Sequence, residues 1–412
     1  MSQKNCMIAQ SGGPTAAINA SLSGVINQVL TSDCYNTIYG SIHGITGIFD
    51  NNILNLSELF ENNSNNQHLL TYSPAMFLGS CRYKLPESFS DKSVYQKIFS
   101  KFDELNIGAF FYIGGNDSMD TVAKLSAYAR EIKSTIAILG IPKTIDNDLQ
   151  ATDHTPGFGS AAKYIASSIL EISHDAYIYA PKSVTIVEIM GRDTGWLTGS
   201  AALARNAYSA APHLIYLPEK PFHKSSFLSD VKTQLETYPN IIVAVSEGIR
   251  DENGNFITAG SNKLDTFGHS QLGGAGKFLE LLIKANIDVK VRSIELNVLQ
   301  RCAAHITSNT DIMEAFSLGQ NAVKLTLSGK TGCMVTLDRT SDSPYQIEYG
   351  CKDISEIANH VKYVPDSFIH ESGNDITKEF LTYLKPLILG ESPVPYANGL
   401  PEYMNISHLI QK

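Results

Sequence analysis

Short apolar runs recur along this chain with helical stretches between them: Cys6 to Ala9, Ile107 to Ile113, Thr135 to Leu139, Val184 to Ile189 and Ile241 to Val245. That alternation argues for βαβ units and parallel sheets. Open sheets of this kind bind ligands outside the carboxyl ends of their strands. Polar chemistry collects at those ends: Gly12-Gly13 follows the first run, Gly114-Gly115 the second, Pro142-Lys143 the third, Gly191-Arg192 the fourth and Glu247-Gly248 the fifth.

The third strand end carries the densest chemistry. In GIPKTIDNDL, Gly140 to Leu149, a lysine and two aspartates lie within six residues. Phosphoryl transfer leaves little covalent work to a protein, so catalysis is mainly positioning and charge neutralisation. Lys143 can hold a polyphosphate, Asp146 can take a proton from an attacking hydroxyl, and Asp148 can bind or orient a magnesium ion.

Composition narrows the setting. A chain of 412 residues with 43% hydrophobic residues can bury a sizeable core and should divide into about two or three domains. A net charge of −9 argues against a nucleic-acid or anionic-membrane surface, so any anion must meet a local basic pocket. No apolar run approaches the roughly 20 residues that span a bilayer, and MSQKNCMIAQ enters a strand without a signal-peptide pattern, which points to the cytoplasm. The six cysteines never approach a CxxC spacing and the eleven histidines form no HxxxH pair, so neither a disulfide framework nor a transition-metal centre is expected.

Two composition changes suggest boundaries. DLQATDHTPGFGS, near residues 150 to 160, is rich in turn formers before a helical pattern resumes at Ala161; TLSGKTGCMVTL reads as a β-hairpin around Gly329 to Gly332. A helical stretch follows at Asp375 to Leu384, then a Pro- and Gly-containing end.

The remaining motifs divide into candidates and decoys. Gly12 and Gly13 in QSGGPTAAIN let backbone amides approach a phosphate at a helix N-terminus, or simply make a tight turn. Gly114-Gly115 is followed by Asn116, Asp117, Ser118 and Asp120, a polar cluster fit for a ligand or for capping the next helix. GFGSAA at Gly157 to Ala162 matches a dinucleotide pattern but lacks the preceding strand. LGGAGKF at Leu272 to Phe278 lacks the first glycine and the hydroxyl of a P-loop, and reads as a turn into a helix. Arg82, Arg192, Arg292 and Arg301 sit beside glycine, polar or strand-end positions and become a site only if the fold gathers them. Glu188 and Glu247 end apolar runs, where they can accept sugar hydroxyls or pair with a core arginine.

Taken in order from about Ala9 to about Ala315, these residues resemble the phosphofructokinase family, with GIPKTIDNDL and EIMGRDTGW as the most specific pair. The resemblance implies an α/β protein of two Rossmann-like three-layer domains with largely parallel sheets and the active site in the cleft between them. It implies a donor-binding domain from 1–153 plus about 298–345, a sugar-phosphate-binding domain at 154–297, and 346–412 as a C-terminal extension packed on both. Gly12, Gly13, Arg82, Asn116, Asp117, Ser118 and Lys143 would lie at the donor, with Arg82 bridging donor and sugar phosphate. Asp146 would deprotonate the 1-hydroxyl of fructose 6-phosphate. Thr144, Asp146, Asp148, Met190, Gly191, Arg192 and Glu247 would line the sugar site, with Arg192 assisting transfer. Arg292 and Arg301 would hold the 6-phosphate, one of them from or near a neighbouring subunit of a homodimer.

Two positions speak to the donor. ATP-using members resemble GGDGS and GTIDND, whereas this chain has Asp117 and Lys143 in place of small residues. A carboxylate at 117 would repel an α-phosphate, and Lys143 suits the free end of pyrophosphate, as in the pyrophosphate-dependent members. The expected activity is reversible, magnesium-dependent phosphorylation of fructose 6-phosphate by pyrophosphate, with Asp117 and Asp148 as metal-site candidates. An ATP-dependent kinase, a related acceptor such as sedoheptulose 7-phosphate, and a non-catalytic sugar-phosphate-binding subunit are the alternatives. Asn116 stands where the family has a magnesium-associated aspartate, and Val298 where ATP-type members have a histidine. Ser23 and Asn27 replace arginines that bind a nucleotide effector in allosteric members.

Overall fold

A computed structural model describes residues 3–86, 91–258 and 274–406. Over those residues the chain forms two compact units: Met1–Ser160, Arg301–Val361 and Gly390–Lys412 in the first, Ala161–Gln300 and Lys362–Leu389 in the second.

Strands β1 (Asn5–Gln10), β2 (Ile38–Ser41), β3 (Ile53–Asn55), β4 (Ile107–Gly114) and β5 (Ala137–Pro142) belong to the first unit. Strands β6 (Ser183–Ile189), β7 (Leu214–Tyr216), β8 (Asn240–Ser246) and β9 (Lys290–Glu295) form the second, and β10 (Cys333–Asp342) and β11 (Tyr345–Asp353) return to the first. The first sheet has the order β11-β10-β5-β4-β1-β2-β3. Its middle, from β10 to β2, is parallel; β11 and β3 are antiparallel edges. Strand β1 lies between β2 and β4, so the chain reverses its direction of travel across the sheet there. Such a switch point leaves a crevice at the strands' carboxyl ends, and the Gly12-Gly13 and Gly114-Gly115 loops leave from these two neighbours.

Both faces of this sheet are covered, which is why its central strands read as unbroken apolar runs. One face packs Ile8, Phe111, Leu139 and Val335 against α1 (Ile18–Ser32) and the helix Asn309–Leu327. The other packs Met7, Phe110, Tyr112 and Ile138 against helices Lys92–Glu104 and α2 (Asn116–Glu131). The first helix pair meets backbone to backbone: a Cβ on Gly24 would lie 1.9 Å from the Phe316 carbonyl oxygen, and one on Gly319 would lie 2.1 Å from that of Ser21.

The second unit's sheet, β7-β8-β6-β9, is wholly parallel. Its core joins Val184, Ile186, Val243 and Val245 to Phe227, Leu279 and Ile283 of the helices Lys224–Thr237 and α3 (Ala275–Asn286). The molecule is thus α/β with largely parallel sheets. No helix among the described residues is long and apolar enough to cross a membrane.

One sequence expectation changes. TLSGKTGCMVTL is a helix-to-strand turn: Thr326 and Leu327 end the helix Asn309–Leu327, and Gly329 and Gly332 turn the chain with φ of 82° and 67° into β10. The apolar residues of that helix pack on α1, so their short run is one helical face and no strand. The hairpin comes later, as β10 and β11. Residues 346–412 are divided between the two units, with β11 an edge strand of the first sheet. Within LGGAGKF, Leu272 and Gly273 lie outside the described residues, and α3 begins at Ala275.

Candidate active site

In the first unit Lys143 is the focus. It leaves the end of β5 with its side chain 1% exposed, and its Nζ donates to the Gly13 carbonyl at 2.6 Å. Gly12 has φ of 83°, and a Cβ there would stand 3.2 Å from Nζ, so glycine serves both the turn and the space. The Lys143 amide donates to the Gly114 carbonyl at 3.0 Å, which ties the β5 end to the β4 end. Burial pulls the Lys143 ammonium down to about 8; Asp146 and Asp148 oppose that shift and the charge of Arg301 adds to it. A cation held against its own desolvation beside backbone amides is built to meet an anion.

The loop that carries the acids is fixed from below. The Asp146 amide donates to Thr144 Oγ1 at 3.1 Å. Asn147 takes φ of 54°, and its buried Oδ1 accepts from the Thr155 amide at 3.1 Å. Thr155 Oγ1 donates to the Thr144 carbonyl at 2.8 Å, and the Thr144 amide donates to Pro156. Asp146 and Asp148, the acids themselves, stay partly exposed.

The sequence reads residues 150 to 160 as a turn-rich boundary; they are also a foundation. His154 Nε2 meets Glu314 Oε2 at 2.6 Å and its Nδ1 meets Asp153 Oδ2 at 2.7 Å, with Arg339 on Asp153 and Tyr345 on Glu314. Burial would lower the His154 imidazolium, but the carboxylates of Glu314 and Asp153 outweigh it and lift the group to about 9. Asp311 accepts from the Gly157 and Ser160 amides at 2.8 and 3.0 Å, and burial raises it to about 6 against those hydrogen bonds. The polar density of DLQATDHTPGFGS was the signal for this role.

At the second loop, Asp117 sits exposed in the first turn of α2, while the buried Ser118 hydroxyl has no hydrogen-bond partner. Asn116 is engaged elsewhere: Oδ1 accepts from the Asn359 amide and Nδ2 donates to the His360 carbonyl, both at 2.7 Å. Arg82 is exposed on the segment whose Ser80 hydroxyl donates to the Gly12 carbonyl at 2.8 Å. An Nη of Arg301 lies 3.7 Å from where a Gly13 Cβ would be, and its Nε is buried without a partner. Gly12, Gly13, Lys143 and Arg301 are therefore brought together.

The second unit gathers a separate group at the ends of β6 and β8. The Gly191 amide donates to Glu247 Oε1 at 3.3 Å, the Gly191 carbonyl accepts from Ser246 Oγ at 2.5 Å, and the Met190 amide donates to Gln300. A Cβ on Gly248 would lie 1.9 Å from the Arg192 carbonyl oxygen, so only glycine lets these turns meet. Arg192 Nε is buried with no hydrogen-bond partner, a donor that an anionic ligand would satisfy. Arg292, on β9, lies at neither turn: its Nε donates to Thr185 and it pairs with Asp175 at 2.5 Å. Glu188 caps α3, accepting from the Gly274 and Gly276 amides at 3.1 and 2.7 Å, and burial raises its carboxyl. Its role is structural.

This arrangement has known counterparts. The family model described as Phosphofructokinase matches residues 5–326. The pyrophosphate--fructose 6-phosphate 1-phosphotransferase of Halomonas elongata is 37% identical over 100% of this chain and 98% of its own length. That of Methylococcus capsulatus is 38% identical over 99% and 97%. A solved pyrophosphate-dependent phosphofructokinase from Nitrosospira multiformis superimposes with a TM-score of 0.88 at 36% identity, covering 98% of this chain and 96% of its own. With a model match across most of the sequence and relatives that align from end to end, the chain belongs to the phosphofructokinase family.

Proposed function

We propose that this chain transfers a phosphoryl group from pyrophosphate to the 1-hydroxyl of fructose 6-phosphate, reversibly. The carrying observation is the buried Lys143 ammonium at the junction of the β1, β4 and β5 loops with Asp146 and Asp148 beside it. Full-length relatives that bear this activity in their names support the same reading. Lys143, Arg82 and the amides of Gly12 and Gly13 hold the donor, with Asn116, Asp117 and Ser118 at its margin. The 1-hydroxyl oxygen attacks the terminal phosphorus, the bridging P–O bond breaks, orthophosphate leaves, and Asp146 takes the hydroxyl proton. Arg192 neutralises charge on the transferring group. Thr144, Met190, Gly191 and Glu247 orient the sugar; Arg301 holds its 6-phosphate, and Arg292, which lies away from these turns on β9, reaches that phosphate only from a neighbouring subunit.

Magnesium fits this donor set. Asp148 is partly exposed on the loop beside the buried Lys143, and Asp117 is exposed in the first turn of α2; a hard cation takes one or two such carboxylates together with donor phosphates and water. Asp148 and Asp117 are the carboxylates that would hold it. Bound there, the ion would neutralise charge on the phosphates. The reading also carries a cytoplasmic homodimer, for which size-exclusion with light scattering is the check.

Assay in the reverse direction tests the function. Fructose 1,6-bisphosphate and orthophosphate should yield fructose 6-phosphate and pyrophosphate; failure to form pyrophosphate would contradict the proposal.

A further inference from the structure

Asn116 stands at the first position of α2, next to Asp117, yet both polar atoms of its side chain face the backbone of a segment more than two hundred residues later. The partners fix the orientation of its amide, because a backbone N–H can only donate and a backbone carbonyl can only accept. Oδ1 therefore faces the Asn359 amide and Nδ2 the His360 carbonyl. Asn359 takes φ of 65°, a conformation asparagine tolerates, and its own Nδ2 donates to Asp120 Oδ1 at 2.9 Å. Just before it, Ile354 and Ile357 are buried in the same cluster as Met119 and Val122 of α2. Just after it, Val361 forms an antiparallel bridge with Leu149, and its carbonyl accepts from Gln150 Nε2 at 2.8 Å.

The segment thus runs from the start of α2 to the residues that immediately follow Asp148. We infer that Asn359–Val361 is a strap joining the helix that carries Asp117 to the loop that carries Lys143, Asp146 and Asp148, and that Asn116 is the positioning residue that fastens it. The strap sets the spacing between Asp117 and Lys143, the pair on which donor choice rests, so this inference depends on the proposed donor. Asn116 then acts through hydrogen bonds to backbone and not as a magnesium ligand. An aspartate in its place would keep the Asn359 contact but set a carboxylate oxygen against the His360 carbonyl.

The test uses the full-length protein and the variants Asn116→Asp, Asn116→Ala and Gln150→Ala, the last releasing the strap at its other end. Hydrogen exchange over residues 357–362 should quicken at least tenfold in Asn116→Ala and Gln150→Ala. The KM for pyrophosphate should rise about tenfold in all three, while the KM for fructose 6-phosphate and the magnesium half-saturation at saturating pyrophosphate stay within twofold. A weakened magnesium half-saturation in Asn116→Ala with unchanged exchange would make Asn116 a metal ligand and overturn the inference. Wild-type turnover in the same assay separates the two claims. Its absence overturns the donor reading, and its presence with an unchanged donor KM in the variants overturns the strap alone.

Discussion

Lys143 Nζ donates a 2.6 Å hydrogen bond to the carbonyl of Gly13, so the side chain that leaves β5 ends against the loop that leaves β1. An ammonium has three N–H groups, and this contact spends one of them. The others, with the charge, are the donor subsite's main resource.

That charge is poised to respond to pH. With Lys143 at about 8, pyrophosphate arriving beside it should raise the group again, so binding near pH 8 takes up roughly half a proton. Calorimetry in buffers of different ionisation enthalpy should show this uptake in the wild type and lose it in Lys143→Met. The stability sign is opposite to that of a paired cation. The unfolded lysine keeps its proton to 10.5 while the folded one releases it near 8, so a penalty of about 3 kcal/mol is full below pH 8 and relieved towards 10.5.

Asp146→Ser should lower kcat by roughly 10²- to 10⁴-fold, the range for losing a positioned general base. Circular dichroism and thermal midpoint should hardly change, because the carboxylate is partly exposed and the loop's buried anchors are Asn147 and Thr144. Near-normal turnover would remove Asp146 from the role of base.

His154 should set a stability slope in the neutral range. Its folded group titrates near 9 against 6.5 in the unfolded chain, so its contribution, about 3 kcal/mol, is complete below pH 6.5 and lost as pH rises through 9. Urea unfolding between pH 6.5 and 8 should show stability falling in the wild type and a flatter profile in His154→Gln. An equal slope in both would refute the assignment.

Donor choice has its own variant. Asp117→Gly with Lys143→Gly removes the carboxylate and the ammonium assigned to selecting pyrophosphate, and ATP turnover should become measurable while the KM for pyrophosphate rises at least tenfold. No gain of ATP use would show that groups beyond these two set the choice.

The sequence made the central strands legible because a strand buried on both faces is an apolar run that ends where chemistry begins. Lys143, Gly191 and Glu247 all came from that rule. Strand β9 was missed because KVRSIE is mostly half-exposed; CMVTL was legible as a strand and begins β10, but the arm assigned to pair with it, Thr326-Leu327, is a helix end, and the true partner is β11. Asn116 was read for what the family has in its place, and its bonds to Asn359 and His360 could not be seen, since no local pattern links residues that far apart. The same holds for the buried His154 and Glu314 pair. Glu188 was legible as a polar group at a strand end, but its helix-capping role depends on where α3 begins in space.

The most direct measurement compares donors on the purified protein. With fructose 6-phosphate and magnesium held constant, initial rates are taken with pyrophosphate and with ATP in parallel. The account predicts robust turnover with pyrophosphate and at least a hundredfold lower kcat/KM with ATP. A clear preference for ATP would contradict it.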